Sequence, residues 1–277
     1  ALKGTPELKL LRRLLLALLI LIVTGYVGVI AYMYFNQRAL QYDAQGEVLA
    51  LTDTALTNAQ EVLIPSDGES VAGWYAPPRP GMPVIVYYKG NSSSFTEESE
   101  RFERFAADGY GFLAFDYRGF PASPGEISET NILADALAAY DWLDAKSDAP
   151  ILIWGRSLGS GPASYVASQR EAVALLLETP FLSALNVAAE RYPILPVALV
   201  MQDQFRNDLW IEDVSEPVLV AHGTADRTID VTNGERLYAR APNPDELWIV
   251  DGADHSDLWD AGIWDRAKPF FDRAMNR

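Results

Sequence analysis

Ser157 stands between two glycines in Gly155-Arg156-Ser157-Leu158-Gly159, after the apolar run 151–154 and before the small-residue stretch 160–167. Strand, Gly-x-Ser-x-Gly and helix in that order are the surroundings of a nucleophile elbow, a sharp turn that presents a serine hydroxyl at its tip. The flanking glycines leave room for neighbouring backbone, and the serine itself takes an unfavourable backbone conformation. Read alone, the same five residues are a glycine-rich turn. The strand before them and the helix after them favour the elbow.

A serine hydroxyl needs an adjacent base to act as a nucleophile at neutral pH, and histidine is the usual one. The chain has two histidines, His222 and His255. His222 ends an apolar run in Val220-Ala221-His222-Gly223, whereas His255 lies in the polar stretch Asp251-Gly252-Ala253-Asp254-His255-Ser256-Asp257. The elbow arrangement runs in chain order from serine to acid to histidine. Only His255 leaves room for an acid that follows a strand end, so His255 is the expected base and His222 a structural imidazole. The acid is expected at Asp226, in His222-Gly223-Thr224-Ala225-Asp226, where it can accept from the imidazole and stabilise imidazolium. Asp230 and, more weakly, Glu178 are rivals, and a capping carboxylate is the plainer reading of Asp226. An oxyanion hole needs two aimed N–H groups. Leu158, after the nucleophile, and Asn91, in Lys89-Gly90-Asn91-Ser92-Ser93-Ser94, are the candidates; an ordinary Gly-Asn turn is the alternative for the latter.

These residues need a sheet that brings strand ends together. Stretches 61–65 and 70–75, joined by the turn signal Ser66-Asp67-Gly68-Glu69, read as a hairpin. Then 84–88, 111–116, 151–154, 174–178, 217–221 and 246–250 are continuous apolar runs of the kind found in buried parallel strands. Helical spacing separates them at 97–107 and 131–144. Eight strands in this β-α alternation predict a mostly parallel α/β sheet with helices on both faces and chemistry at the carboxyl strand ends. Between Glu178 and Val218, the apolar stretch 192–201 falls in a region, 183–212, expected to form a short lid, an acyl pocket wall or a membrane contact; a packed crossover helix is the equal alternative.

The chain has 277 residues and a net charge of −16, which repels phosphate backbones and excludes nucleic acid as an expected partner. There is no cysteine, hence no disulfide, thiol nucleophile or cysteine-ligated metal. No cofactor or metal is expected. Residues 14–35 form 22 uncharged residues, enough for a helix to cross a hydrocarbon core of about 30 Å. Lys3, Lys9, Arg12 and Arg13 precede the run and only Arg38 closely follows it. That asymmetry places the N-terminus in the cytoplasm and the remainder outside it, periplasmic in a bacterium. A cleaved signal peptide is the competing reading, but its apolar core is shorter and ends in small residues. The expected organisation is a tail and transmembrane anchor at 1–36 contacting the bilayer through 14–35, a polar connector at 37–58 and a catalytic domain at 59–277.

From about residue 61 to the C-terminus the chain resembles the α/β-hydrolase-domain-13/17 and Bem46-like branch of the α/β-hydrolases. The resemblance rests on Gly155-Arg156-Ser157-Leu158-Gly159-Ser160-Gly161, Phe115-Asp116-Tyr117-Arg118-Gly119, the block from Pro217 to Asp226, and Gly252-Ala253-Asp254-His255. It implies an α/β-hydrolase fold, a Ser157–Asp226–His255 triad, oxyanion donors at Asn91 and Leu158, and hydrolysis of carboxylic esters or thioesters. One departure stands out: Lys89-Gly90-Asn91 replaces the usual His-Gly-Asn, which sets a cation beside the expected site. Eukaryotic depalmitoylases of the branch reach cytosolic substrates through lipidated N-termini; this chain has no cysteine to lipidate, so depalmitoylation is not carried over. Amide or peptide cleavage on the same residues is the runner-up, and a non-catalytic anchored scaffold the third reading.

Overall fold

Residues that are apolar without a break become strands shielded on both faces, and the structure, a computed structural model, describes them within residues 5–277. Lys3, one of the charges weighed above, lies outside the described residues. The strands are β1 (Gln60–Ser66), β2 (Glu69–Ala76), β3 (Val84–Tyr88), β4 (Gly111–Phe115), β5 (Ile151–Arg156), β6 (Ala174–Glu178), β7 (Val218–Gly223) and β8 (Pro244–Val250). They form one sheet in the order β1-β2-β4-β3-β5-β6-β7-β8. β1 and β2 are antiparallel, as is β2 to β4; every pairing from β4 to β8 is parallel.

The helices are α1 (Pro6–Gln41), α2 (Ser99–Ala107), α3 (Glu129–Lys146), α4 (Ser160–Ala167), α5 (Ala184–Arg191), α6 (Val197–Val200), α7 (Asn207–Trp210), α8 (Val231–Tyr238) and α9 (Ile263–Met275). One face of the sheet is covered by α3, α4 and α8, which contribute Ile132, Leu143, Val166 and Leu237 to a buried layer. The other is covered by α2 and α9, through Phe102, Phe105, Trp264 and Phe271. Parallel strands joined by covering helices bring the ends of β3, β5, β7 and β8 to a single edge, where Tyr88 pairs with Gly155 and Gly223 with Val250.

Helix α1 is the outlier. It is 36 residues long, none of them buried, and its apolar window has a mean hydropathy of 2.8, long and apolar enough to cross a membrane. The helix also continues to Gln41, past the boundary expected at residue 36. Polar side chains of its last turns find partners on the domain, far away in sequence. Gln37 Nε2 donates to Val200 O at 3.3 Å, Gln41 Nε2 to Asp203 O at 3.0 Å, and Arg38 Nε to Asp203 Oδ2 at 3.1 Å. Tyr42, just beyond, donates from its hydroxyl to the same carboxylate at 3.0 Å.

Candidate active site

The turn after β5 is built around Ser157, whose φ of +51° is a strained value for a residue with a side chain. Tight packing makes the neighbouring glycine obligatory. A Cβ at Gly159 would lie 2.0 Å from Tyr88 O, and that oxygen belongs to backbone that cannot swing aside. Helix α4 starts immediately after, and Ser160 Oγ donates to Ser157 O at 2.7 Å, holding the turn closed.

The loop after β8 carries His255 to this turn. His255 Nε2 lies 2.8 Å from Ser157 Oγ, and its Nδ1 lies 2.8 Å from Asp226 Oδ2. With the proton on Nδ1 donated to the carboxylate, Nε2 is left to accept from the serine hydroxyl. Asp226 follows β7, and its other oxygen accepts from the N–H groups of Thr228 and Ile229 at 2.8 and 2.9 Å. Burial opposes ionisation of Asp226, but hydrogen bonds from His222 and His255 outweigh it and hold the carboxyl well below its ordinary range. An anion fixed in this way can orient the imidazole and stabilise it once protonated.

The rivals are placed elsewhere. Asp230 caps α8, accepting from Thr232 N at 2.9 Å. Glu178 is a buried partner of Arg101, at 2.8 and 3.1 Å, and accepts from Trp154 Nε1 at 3.0 Å. His222 is fully buried, and its Nε2 lies 2.9 Å from Ile229 O and 3.1 Å from Asp226 Oδ2. The strand-end imidazole thus also braces the carboxylate, a contact that its position in an apolar strand does not announce.

Asn91 and Leu158 flank Ser157 at the floor of one cavity of about 510 Å³. Neither backbone N–H has an acceptor among the described residues. For Leu158 this follows from its place in the first turn of a helix, where N–H groups have no intrahelical partner. Two free donors beside a serine can hold an oxyanion. Asn91 is positioned from an unexpected direction, since its Nδ2 donates to Gln41 O at the end of α1 at 2.7 Å.

Lys89 does not face the cavity. Its ammonium turns under the loop, donates to Gly90 O at 3.0 Å, lies over the Phe120 ring at 3.8 Å and approaches Asp116 Oδ1 at 3.9 Å. Burial lowers its pKa to about 8, against the pull of Asp116. The cation expected beside the substrate is therefore a brace beneath the Asn91 loop. Arg156 fills the variable place before the serine, where the motif itself signals no role. It reaches Ser256 Oγ at 3.3 Å and the Glu98 and Glu178 carboxylates at 3.7 and 3.6 Å, tying the serine turn to the histidine loop.

The cavity walls come from two segments far apart in sequence. Met33 and Tyr34 of α1 stand on one side, and Val187, Leu195 and Val197 of the 183–212 region on the other. The 192–201 stretch thus supplies part of the cavity wall through Leu195 and Val197.

No protein-family model matches the chain. It is 35% identical over 236 residues to an uncharacterized protein of Mycobacterium tuberculosis, covering 83% of this chain and 84% of that one. It is 34% identical over 204 residues to human Protein ABHD12B, covering 64% of this chain and 56% of that protein. It is 36% identical over 149 residues to human alpha/beta hydrolase domain-containing protein 17C, covering 53% and 44%. The chain thus spans about half the length of these two human relatives. Among solved structures, the Pyrococcus furiosus esterase Pf2001 superposes with a TM-score of 0.67 at 22% identity, covering 85% of this chain and 98% of the esterase. Est1E from Butyrivibrio proteoclasticus superposes with a TM-score of 0.62 at 17% identity, covering 78% and 99%. These two likenesses concern the fold.

Proposed function

The chain belongs to the α/β-hydrolase superfamily, and from that premise we propose that it is a membrane-anchored serine hydrolase cleaving carboxylic esters or thioesters through an acyl-enzyme. The observation that carries the reading is the unbroken chain of hydrogen bonds from Ser157 through His255 to Asp226, at 2.8 Å per step, beside two free N–H groups. Ser157 Oγ attacks the acyl carbon as His255 Nε2 takes the hydroxyl proton. The N–H groups of Leu158 and Asn91 hold the resulting oxyanion, and each such donor contributes on the order of 10²–10³ in rate. The tetrahedral species collapses with transfer of the His255 proton to the leaving alkoxide or thiolate. Water, deprotonated by the same imidazole, then releases the acid and restores Ser157.

Helix α1 anchors the chain through residues 14–35, and Lys9, Arg12 and Arg13 keep the N-terminus on the cytoplasmic side. The catalytic domain then works outside the cytoplasm. The test is turnover of p-nitrophenyl butyrate by the full-length protein in detergent. Ser157→Ala is expected to lower kcat by about 10³-fold or more; equal turnover by the variant would refute the assignment. A matched anilide shows whether the site prefers amides, the runner-up chemistry.

A further inference from the structure

The anchor and the lid run side by side, and their polarity is matched along their length. Tyr26 Oη donates to Ile194 O at 2.6 Å. Eleven residues later, Gln37 donates to Val200 O and accepts from Gln202 N at 2.7 Å. Arg38, the first charge after the apolar run of α1, pairs with Asp203, the first charge after the lid's uncharged stretch 192–202. Two segments that are uncharged over the same interval, and that turn charged at the same level, fit one boundary between hydrocarbon and water.

The level of that boundary follows from helix geometry. A span beginning at Leu14, after Arg12 and Arg13, needs about twenty residues and ends near Met33. Tyr26 then lies about 10 Å inside the far boundary at 1.5 Å per residue. The Ile194 carbonyl bonded to it is carried to the same depth, within the reach of segments that lie in a membrane interface. Ile194 and Leu199 are 78% and 85% exposed, an arrangement costly in water and favourable in acyl chains. The cavity over Ser157 lies between these two segments. Ile30, Met33, Tyr34, Gln37 and Leu40 line it at helical spacing from one face of α1.

We propose that the end of the anchor helix is itself a wall of the acyl-binding cavity, that the 192–201 loop dips into the outer half of the bilayer, and that the substrate is a long-chain acyl ester or thioester drawn sideways from that leaflet. The inference rests on the hydrolase reading for its chemistry, while the seating of the loop stands independently of it. The carbonyl of such a lipid lies near the level of the first polar residues, Gln37 and Gln41, and Asn91 is held beside Ser157 by the carbonyl of Gln41. The chain itself lies against Met33 and Leu195, deeper in the leaflet.

The chain has no cysteine, so Ile194→Cys provides a single thiol for an environment-sensitive nitrobenzoxadiazole dye. In full-length protein reconstituted into phosphatidylcholine nanodiscs, the dye is expected to emit blue-shifted light and to be quenched by lipids carrying a nitroxide on the acyl chain. Emission typical of water, without quenching, overturns the seating of the loop. In the same nanodiscs, Met33→Trp, which fills the cavity from the α1 side, is expected to lower the ratio of palmitate to butyrate ester turnover at least about ten-fold. An unchanged ratio overturns the cavity wall. Should no Ser157-dependent turnover of either ester be found, the hydrolase reading and the substrate inferred from it fail together, while the dye readout still decides the seating of the loop.

Discussion

Asp226→Asn is the substitution whose outcome is most fully determined by the geometry. Asp226 Oδ1 accepts two backbone N–H groups, from Thr228 and Ile229, so the asparagine keeps its oxygen there. Its amide nitrogen then replaces Oδ2 and faces His255 Nδ1 at about the 2.8 Å of the native contact. A donor facing Nδ1 requires that nitrogen to be bare, which moves the imidazole proton to Nε2. Nε2 then points its proton at Ser157 Oγ, 2.8 Å away, and cannot take one from it. The anion that stabilises imidazolium is lost as well. At an effective dielectric of about 20 and a charge separation of about 4 Å, that attraction is about 4 kcal/mol, which corresponds to about three decades of rate. With the wrong tautomer added, kcat is expected to fall about 10⁴-fold, as in other triads. Two hydrogen bonds to the charged oxygen are lost, from His255 and from His222, at about 1.5–3 kcal/mol each, so the melting temperature is expected to fall while the fold is retained. The assay is kcat for p-nitrophenyl butyrate across neutral pH, with thermal melting to verify folding. A folded variant within ten-fold of wild type would refute both the tautomer argument and the role of Asp226.

Gly159→Ala drives a Cβ into the Tyr88 carbonyl, and is expected to cost about 3 kcal/mol or more or to displace the serine turn; melting together with active-site titration detects either result. Glu178→Gln leaves Arg101 buried without its bidentate partner and is expected to destabilise by about 3–5 kcal/mol, with kcat of the folded fraction within about ten-fold of wild type. A normal melt with collapsed kcat would contradict this and point to Glu178 acting on the serine turn through Arg156. Lys89→Met probes the buried ammonium through pH. The folded pKa of about 8 lies below the ordinary 10.5, so the folded state holds fewer protons than the unfolded state between those values. The stability of wild type relative to Lys89→Met therefore rises by about 3 kcal/mol from pH 8 to 10.5 and is flat below that window. Urea unfolding at a series of pH values measures it, and a flat difference throughout would contradict the burial argument.

The sheet was legible because its strands advertise themselves. Val84–Tyr88 and Ala174–Glu178 are buried over their whole length and are bounded as the apolar runs imply. Ser157, Asp226 and His255 could be chosen from chain order, since only two histidines compete and one ends a strand. What stayed hidden depends on contacts between distant segments. The resemblance, with Lys89 where the branch has a histidine, marks a cation beside the expected site, but its side chain packs beneath the loop, against Phe120 and Asp116. Residues 37–41 look like a polar connector until Asp203 and Asn91, remote in sequence, supply partners that extend the helix. Arg156 occupies the variable place in its motif, and its role exists only once Glu98, Glu178 and Ser256 are folded around it. Local pattern names elements and their chemistry, whereas long-range pairing decides which side chains brace a site.

The central claim is that Ser157 is a nucleophile activated by His255. It is tested most directly by treating the full-length protein with a fluorophosphonate and locating the adduct by mass spectrometry. The account predicts one adduct per chain, on the peptide containing Ser157, absent from Ser157→Ala and slowed by several orders of magnitude in His255→Ala. Labelling of equal extent in Ser157→Ala, or an adduct on another residue, would contradict it.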